Sequence, residues 1–206
     1  MFYVLEGHAQ GILADEVFLV FEGRQWTYKE TYQTVLKYGT WIKSKFDVRP
    51  KQIVAMDFMN LEKFIFVWFG LWSIGAKPAF INYNLSGKPL VHCIKVSSTS
   101  LAFVDLEVKD NVSSDVIKVL PNVRFVIFTP ELEKEVTDTV GIRAPDWTRS
   151  EDKSSNMAKL VYTSGTTGLP KPAIVSWMKA GMGSMIMSNV ATIRRPDVFY
   201  TVRITP

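Results

Sequence analysis

The stretch Tyr162-Thr163-Ser164-Gly165-Thr166-Thr167-Gly168-Leu169-Pro170-Lys171 decides how this chain is read. A polyphosphate needs closely spaced donors and a backbone that can approach it. Gly165 and Gly168 permit positive φ and carry no Cβ to stand in the way. Successive backbone N–H groups in such a turn form an anion-binding concavity. Thr163, Ser164, Thr166 and Thr167 add hydroxyls that can donate to phosphate oxygens or face a phosphate-bound metal. Lys171 supplies a mobile point charge, and Pro170 fixes the chain just before it. The competing reading is a plain Gly/Ser/Thr surface turn between two strands.

Other nucleotide and catalytic motifs fail on spacing. Gly165 and Gly168 are too close for G-x-x-x-x-G-K-[ST], and Lys171 lies three residues beyond the second glycine. Gly181-Met182-Gly183 fails as a dinucleotide fingerprint because position 186 is Ile186. No G-x-S-x-G nucleophile elbow is present.

Outward from the loop, strands and helices alternate. Ala158–Tyr162 and Ala173–Trp177 read as strands on either side of it, followed by a helix over Lys179–Thr192 and a strand over Asp197–Val202. Upstream, Gln25–Tyr28 is a short strand. Lys29–Phe46 approximates helical spacing at Tyr32, Val35, Leu36, Tyr38, Gly39 and Ile42. Gln52–Phe58 reads as a buried strand, Glu62–Ile74 as a helix and Pro78–Asn82 as a strand. Lys88–Ser97 and Val112–Leu120 are predicted helices, and Leu101–Asp105 and Val123–Thr129 strands. Thr137–Asn156 is polar and reads as a surface connection. Alternating units with apolar strands predict an α/β fold, a mostly parallel sheet with flanking helices. Ligands in such folds sit at the carboxyl ends of strands, where this loop falls.

The composition bounds the partners. The 206 residues are 47% hydrophobic and 21% charged, with a formal charge of +4. That mild excess suits anionic ligands or an anionic membrane face, but no basic block points to nucleic acid. Cys93 is the only cysteine, which suits a reduced, intracellular setting, and the only histidines, His8 and His92, leave no ordinary His/Cys metal site. His92 and Cys93 are adjacent and are expected to point to different sides. The uncharged run from Phe64 to Ala76 is short of the roughly 20 residues of a membrane span, so a buried helix is expected there.

Tyr162–Lys171 is the signature of the adenylate-forming (AMP-binding) superfamily of acyl-CoA synthetases, adenylation domains and luciferases. Trp26-Thr27-Tyr28, Asn60-Leu61-Glu62-Lys63-Phe64, Trp68-Phe69-Gly70-Leu71-Trp72 and the segment Ile74 to Asn84 resemble the fatty acid transport protein / very-long-chain acyl-CoA synthetase group, especially its fungal members. The resemblance runs from about Asp15 to Val202 and covers about the N-terminal third of such an enzyme. It implies that residues 1–206 are a partial N-terminal AMP-binding domain without the small C-terminal domain. It also implies a two-step reaction: a long- or very-long-chain fatty acid is activated by ATP with Mg2+, then transferred to coenzyme A, in step with fatty acid uptake. Thr163, Ser164, Gly165, Thr166, Thr167, Gly168 and Lys171 are the residues implied to hold the ATP phosphates. No catalytic or metal-ligating residue is carried over.

The resemblance further implies membrane association, at the endoplasmic reticulum, peroxisome, lipid droplet or plasma membrane. It departs from the pattern at Trp177, where many members have histidine, and at Pro172, where a small residue is usual. The segments that hold adenine, ribose and magnesium, and the C-terminal catalytic lysine, have no match here. The 206 residues alone are therefore expected to be inactive, with exposed apolar surface and marginal stability. The alternative is a non-catalytic lipid- or partner-binding module using the aromatic run Phe64–Trp72.

Overall fold

The computed structural model describes residues 1–164, 168–190, 192 and 197–198. In chain order the elements are α1 (Phe2–Gln10), β1 (Val17–Phe21), β2 (Arg24–Thr27), α2 (Tyr28–Phe46), β3 (Ile53–Asp57), α3 (Glu62–Ser73), β4 (Lys77–Phe80), α4 (Gly87–Ser97) and β5 (Leu101–Asp105). A 3-10 turn at Leu106–Asn111 leads to α5 (Ser114–Val119), β6 (Arg124–Phe128), α6 (Pro130–Asp138), α7 (Trp147–Ser150), β7 (Met157–Thr163), β8 (Lys171–Ser176) and α8 (Trp177–Val190). The predicted strand Asp197–Val202 lies largely outside the described residues.

Six strands form one sheet in the order β6-β5-β3-β4-β7-β8, and β1 and β2 form a separate antiparallel hairpin. All neighbours in the six-stranded sheet are parallel except β7 and β8. The expected α/β architecture with a mostly parallel sheet is what the chain adopts. The central strands β3, β4 and β5 are buried on both faces, which is why β3 and β5 read as apolar runs rather than alternating ones.

Successive residues of a strand point to opposite faces, and the two cores follow that alternation. Val54 and Met56 of β3 join Phe103, Phe128, Val35, Ile42 and Leu71 in the larger core, beneath α2 and α3. Ala55 joins Leu90, Cys93, Ile94, Ala102 and Val116 in the smaller core, beneath α4 and α5. On α3, Phe66, Val67, Phe69, Leu71 and Trp72 are buried, and Phe64, Ile65 and Trp68 partly so, which leaves none of its aromatics exposed. The Trp72 indole N–H donates to the Ala158 carbonyl at 2.8 Å, tying α3 to β7. No helix among the described residues is long and apolar enough to cross a membrane.

The caps explain several boundaries. Thr27 and Glu30 form a reciprocal capping box at the start of α2, the Thr27 hydroxyl accepting from Glu30 N–H at 3.1 Å. Thr129 caps α6, which opens on Pro130.

The polar stretch Thr137–Asn156 is more than a surface connection, which corrects the sequence expectation. Ala144, Thr148 and Arg149 are buried within it, and α7 sits in its middle. The Arg149 guanidinium donates to the Ser73 carbonyl and, at 3.0 Å, to the Ala144 carbonyl. Gly75, at φ +81°, passes so close to the Thr148 carbonyl that a Cβ there would collide with it. The Arg149 side chain thus satisfies the Ser73 carbonyl at the C-terminal end of α3, which the helix itself leaves open.

Candidate phosphate-binding site

β7 and β8 bring the two ends of the loop together. Thr163 and Lys171 are cross-strand partners at the last rung of this antiparallel pair, and Val161 and Ala173 pair two rungs back. The Thr163 hydroxyl donates to the Lys171 carbonyl at 3.5 Å. Thr163, Ser164 and Lys171 are all exposed at the carboxyl end of β7. Lys171 makes no ion pair among the described residues, so its charge is available to a ligand. Gly168 has φ +83° and no heavy atom within 4 Å of where a Cβ would stand. That φ is a backbone conformation that glycine adopts without a Cβ penalty. Gly165, Thr166 and Thr167 lie outside the described residues.

Two groups from α4 meet the loop. The Tyr162 hydroxyl donates to the Cys93 carbonyl at 2.7 Å, and burial raises its phenol above the usual tyrosine range. His92 Nε2 lies 3.1 Å from the Pro170 carbonyl. His92 is half-buried and Cys93 is fully buried, so the two do face different environments as expected. Burial pushes the Cys93 thiol up to about 11, which leaves it an inert core group rather than a nucleophile. The sequence drew attention to His92 only as a poor metal ligand. Its partner is a backbone carbonyl 78 residues away, and a carbonyl carries no signature in a sequence.

Beside the loop, a cavity of about 230 Å³ opens at the carboxyl ends of β3, β4 and β7, lined by Phe58, Asn60, Phe64, Phe80, Asn82 and Tyr162 among others. Trp177, which departs from the family pattern, sits at the opposite end of β8. Its indole N–H donates to Asp152 at 3.1 Å, its ring lies 5.0 Å from that of Trp72, and the Lys77 ammonium lies 4.8 Å above it. Lys77 is itself paired with Asp152 in a nearly dry setting. Trp177 is therefore a packing residue remote from the loop.

The donor set suits a polyphosphate. Thr163, Ser164, Gly168 and Lys171 lie at one strand end, and none of them carries a carboxylate to repel an anion. The described residues contain no cluster of three or more His, Cys, Asp or Glu side chains that could hold a metal ion.

Residues 6–201 match the family described as AMP-binding enzyme. The very long-chain fatty acid transport protein of Saccharomyces cerevisiae is 33% identical over 191 residues, covering 88% of this chain and 28% of the relative. The protein of the same description from Cochliobolus heterostrophus is 29% identical, covering 89% of this chain and 28% of the relative. The chain thus spans under a third of the length of these relatives. Among solved structures, o-succinylbenzoate CoA synthetase from Bacillus subtilis, in complex with its acyl-adenylate intermediate, superposes with a TM-score of 0.77 at 17% identity, over 94% of this chain and 47% of that one. At that identity the likeness concerns the fold, and the match across 6–201 carries the assignment: the chain belongs to the AMP-binding enzyme family.

Proposed function

We propose that this chain forms the phosphate-binding part of a long- or very-long-chain fatty acid–CoA ligase. The observation that carries the reading is the β7–β8 pair, which sets Thr163 against Lys171 and leaves Gly168 at positive φ between them. In the proposed reaction the fatty carboxylate attacks the α-phosphate of ATP, giving an acyl-adenylate and pyrophosphate, and the coenzyme A thiol then displaces AMP. The first step needs no protein nucleophile, only alignment and charge stabilisation on the phosphates. Thr163, Ser164, Gly165, Thr166, Thr167, Gly168 and Lys171 take that role. The hydroxyls of Thr163, Ser164, Thr166 and Thr167 are the groups that would face magnesium bound with the nucleotide, which would supply further charge neutralisation on the phosphates. The fatty acid assignment, and the association with membranes that it brings, rests on the names of the relatives.

Calorimetric titration of the chain with Mg-ATP and with magnesium pyrophosphate tests the reading. Both are expected to bind, and Lys171→Met is expected to weaken both by about tenfold, the loss of one charged hydrogen-bonding group. Unchanged binding in Lys171→Met, with the fold intact, would remove the loop from the site. ATP–pyrophosphate exchange with palmitate or tetracosanoate tests turnover: the 206 residues alone are expected to show none, and robust exchange would overturn that expectation.

A further inference from the structure

We infer that His92 is a positioning residue for the phosphate loop: its Nε2–H holds the Pro170 carbonyl and thereby fixes the exit of the loop onto α4. This rests on the phosphate-binding reading above and adds to it a residue that the motif does not contain.

An anion site makes a demand on its backbone. N–H groups must point toward the phosphate and carbonyl oxygens must point away, because each carbonyl carries the negative end of a dipole. A carbonyl turned away from the ligand still needs a donor. Pro170 is the last residue before β8, where the loop rejoins the sheet. Its carbonyl has Nε2 of His92 at 3.1 Å. A carbonyl can only accept, so Nε2 is the protonated nitrogen in this contact.

Geometry makes the contact more than incidental. His92 and Cys93 are consecutive on α4, and each engages one end of the loop. The Cys93 carbonyl accepts from the Tyr162 hydroxyl at the entrance, at 2.7 Å, and the His92 ring takes Pro170 at the exit. The helix is well anchored for this: Leu90, Cys93 and Ile94 are almost completely buried beneath the sheet. The loop's own strands are less so, since Thr163, Ser164, Leu169, Lys171 and Pro172 are exposed. A well-anchored helix therefore holds the described residues on both sides of the loop, most of which are exposed. Lys171 follows Pro170 directly, so fixing this peptide plane also fixes the backbone from which the lysine ammonium reaches out.

The test separates positioning from phosphate binding. Hydrogen–deuterium exchange is followed in peptides spanning residues 163–172 of the full chain, without ligand, for wild type, His92→Leu and His92→Gln. The Gln amide can place an N–H near the same carbonyl, whereas Leu cannot. We expect His92→Leu to speed exchange in this segment at least fivefold while β3, β4 and β5 stay as protected as in wild type, and His92→Gln to restore most of the protection. In parallel, magnesium pyrophosphate affinity is expected to fall severalfold in His92→Leu and to recover in His92→Gln. A second check is the nitrogen-15 spectrum of the His92 ring, which should show a proton on Nε2. Unchanged exchange in His92→Leu, or a loss that His92→Gln does not repair while the sheet stays protected, would overturn the inference. Failure of the wild type to bind pyrophosphate would instead overturn the phosphate-binding reading and leave the exchange result to decide the clamp by itself.

Discussion

Asp57 ends β3 with both carboxyl oxygens buried and without a hydrogen-bond partner among the described residues. Burial, and after it the charge of Asp105 at the end of neighbouring β5, pushes its carboxyl up to about 7. An acid whose pKa is raised by folding stabilises the protein below its unfolded value, near 4, and loses that contribution as pH rises through 7. The rise of about three pKa units corresponds to roughly 4 kcal/mol of pH-linked stability. Asp57→Asn should therefore change stability little at pH 4, become increasingly stabilising from pH 4 to 7, and level off above 7. Urea denaturation of both proteins across that range measures the difference, and a difference independent of pH would show that Asp57 ionises freely. The tyrosine-to-lysine loop was legible because glycine, hydroxyl and lysine side chains are themselves the chemistry. Asp57 and His92 were not, because burial and a carbonyl partner are properties of the fold.

At the scale of elements, the tight contact between α2 and α3 decides how the helices sit on the sheet. Gly70 of α3 lies against Tyr38 and Gly39 of α2, and a Cβ on Gly70 would stand 2.9 Å from that of Tyr38. A Cβ on Gly39 would collide with the Ser73 hydroxyl. Gly70→Ala and Gly39→Ala should each destabilise by about 1–3 kcal/mol through overpacking, seen as a lower thermal midpoint. Gly181 of α8 has nothing within 4 Å, so Gly181→Ala should instead stabilise by about 0.5–1 kcal/mol through helix propensity. The same contrast governs what could be read in advance. β5 was legible to the residue and α2, β3 and α3 nearly so, since their apolar periodicity reports burial directly. α1 was not, because Glu6, one of its buried residues, is held by Tyr32 and by Arg143, 137 positions away. α6 is mostly polar, with Val136 as its one buried side chain, and its start shows only in the Thr129–Pro130 cap. α7 is one turn long, too short for any period to appear.

At the scale of the whole molecule, α8 beyond Trp177 is the part that the two cores do not absorb. Met178, Met182, Met185, Ile186, Met187 and Val190 are all more than half exposed, and Lys179 is the only charged residue of the helix. Exposed apolar side chains recurring along one helix make a candidate surface for association. The chain in solution is therefore expected to bind an apolar dye such as anilinonaphthalene sulfonate and to self-associate as its concentration rises. Ammonium sulfate should strengthen the association and sodium chloride should not dissolve it, because the attraction is apolar rather than ionic. The triple variant Met182→Gln, Met185→Gln, Ile186→Gln removes the centre of that surface while touching no buried side chain. Its dye fluorescence should fall severalfold and its sedimentation should shift toward the monomer. Its unfolding free energy should stay within about 0.5 kcal/mol per site of wild type, as exposed substitutions do. A large loss of stability in the variant would mean instead that α8 packs against the body in solution, and the apolar face would then belong to the core rather than to the surface.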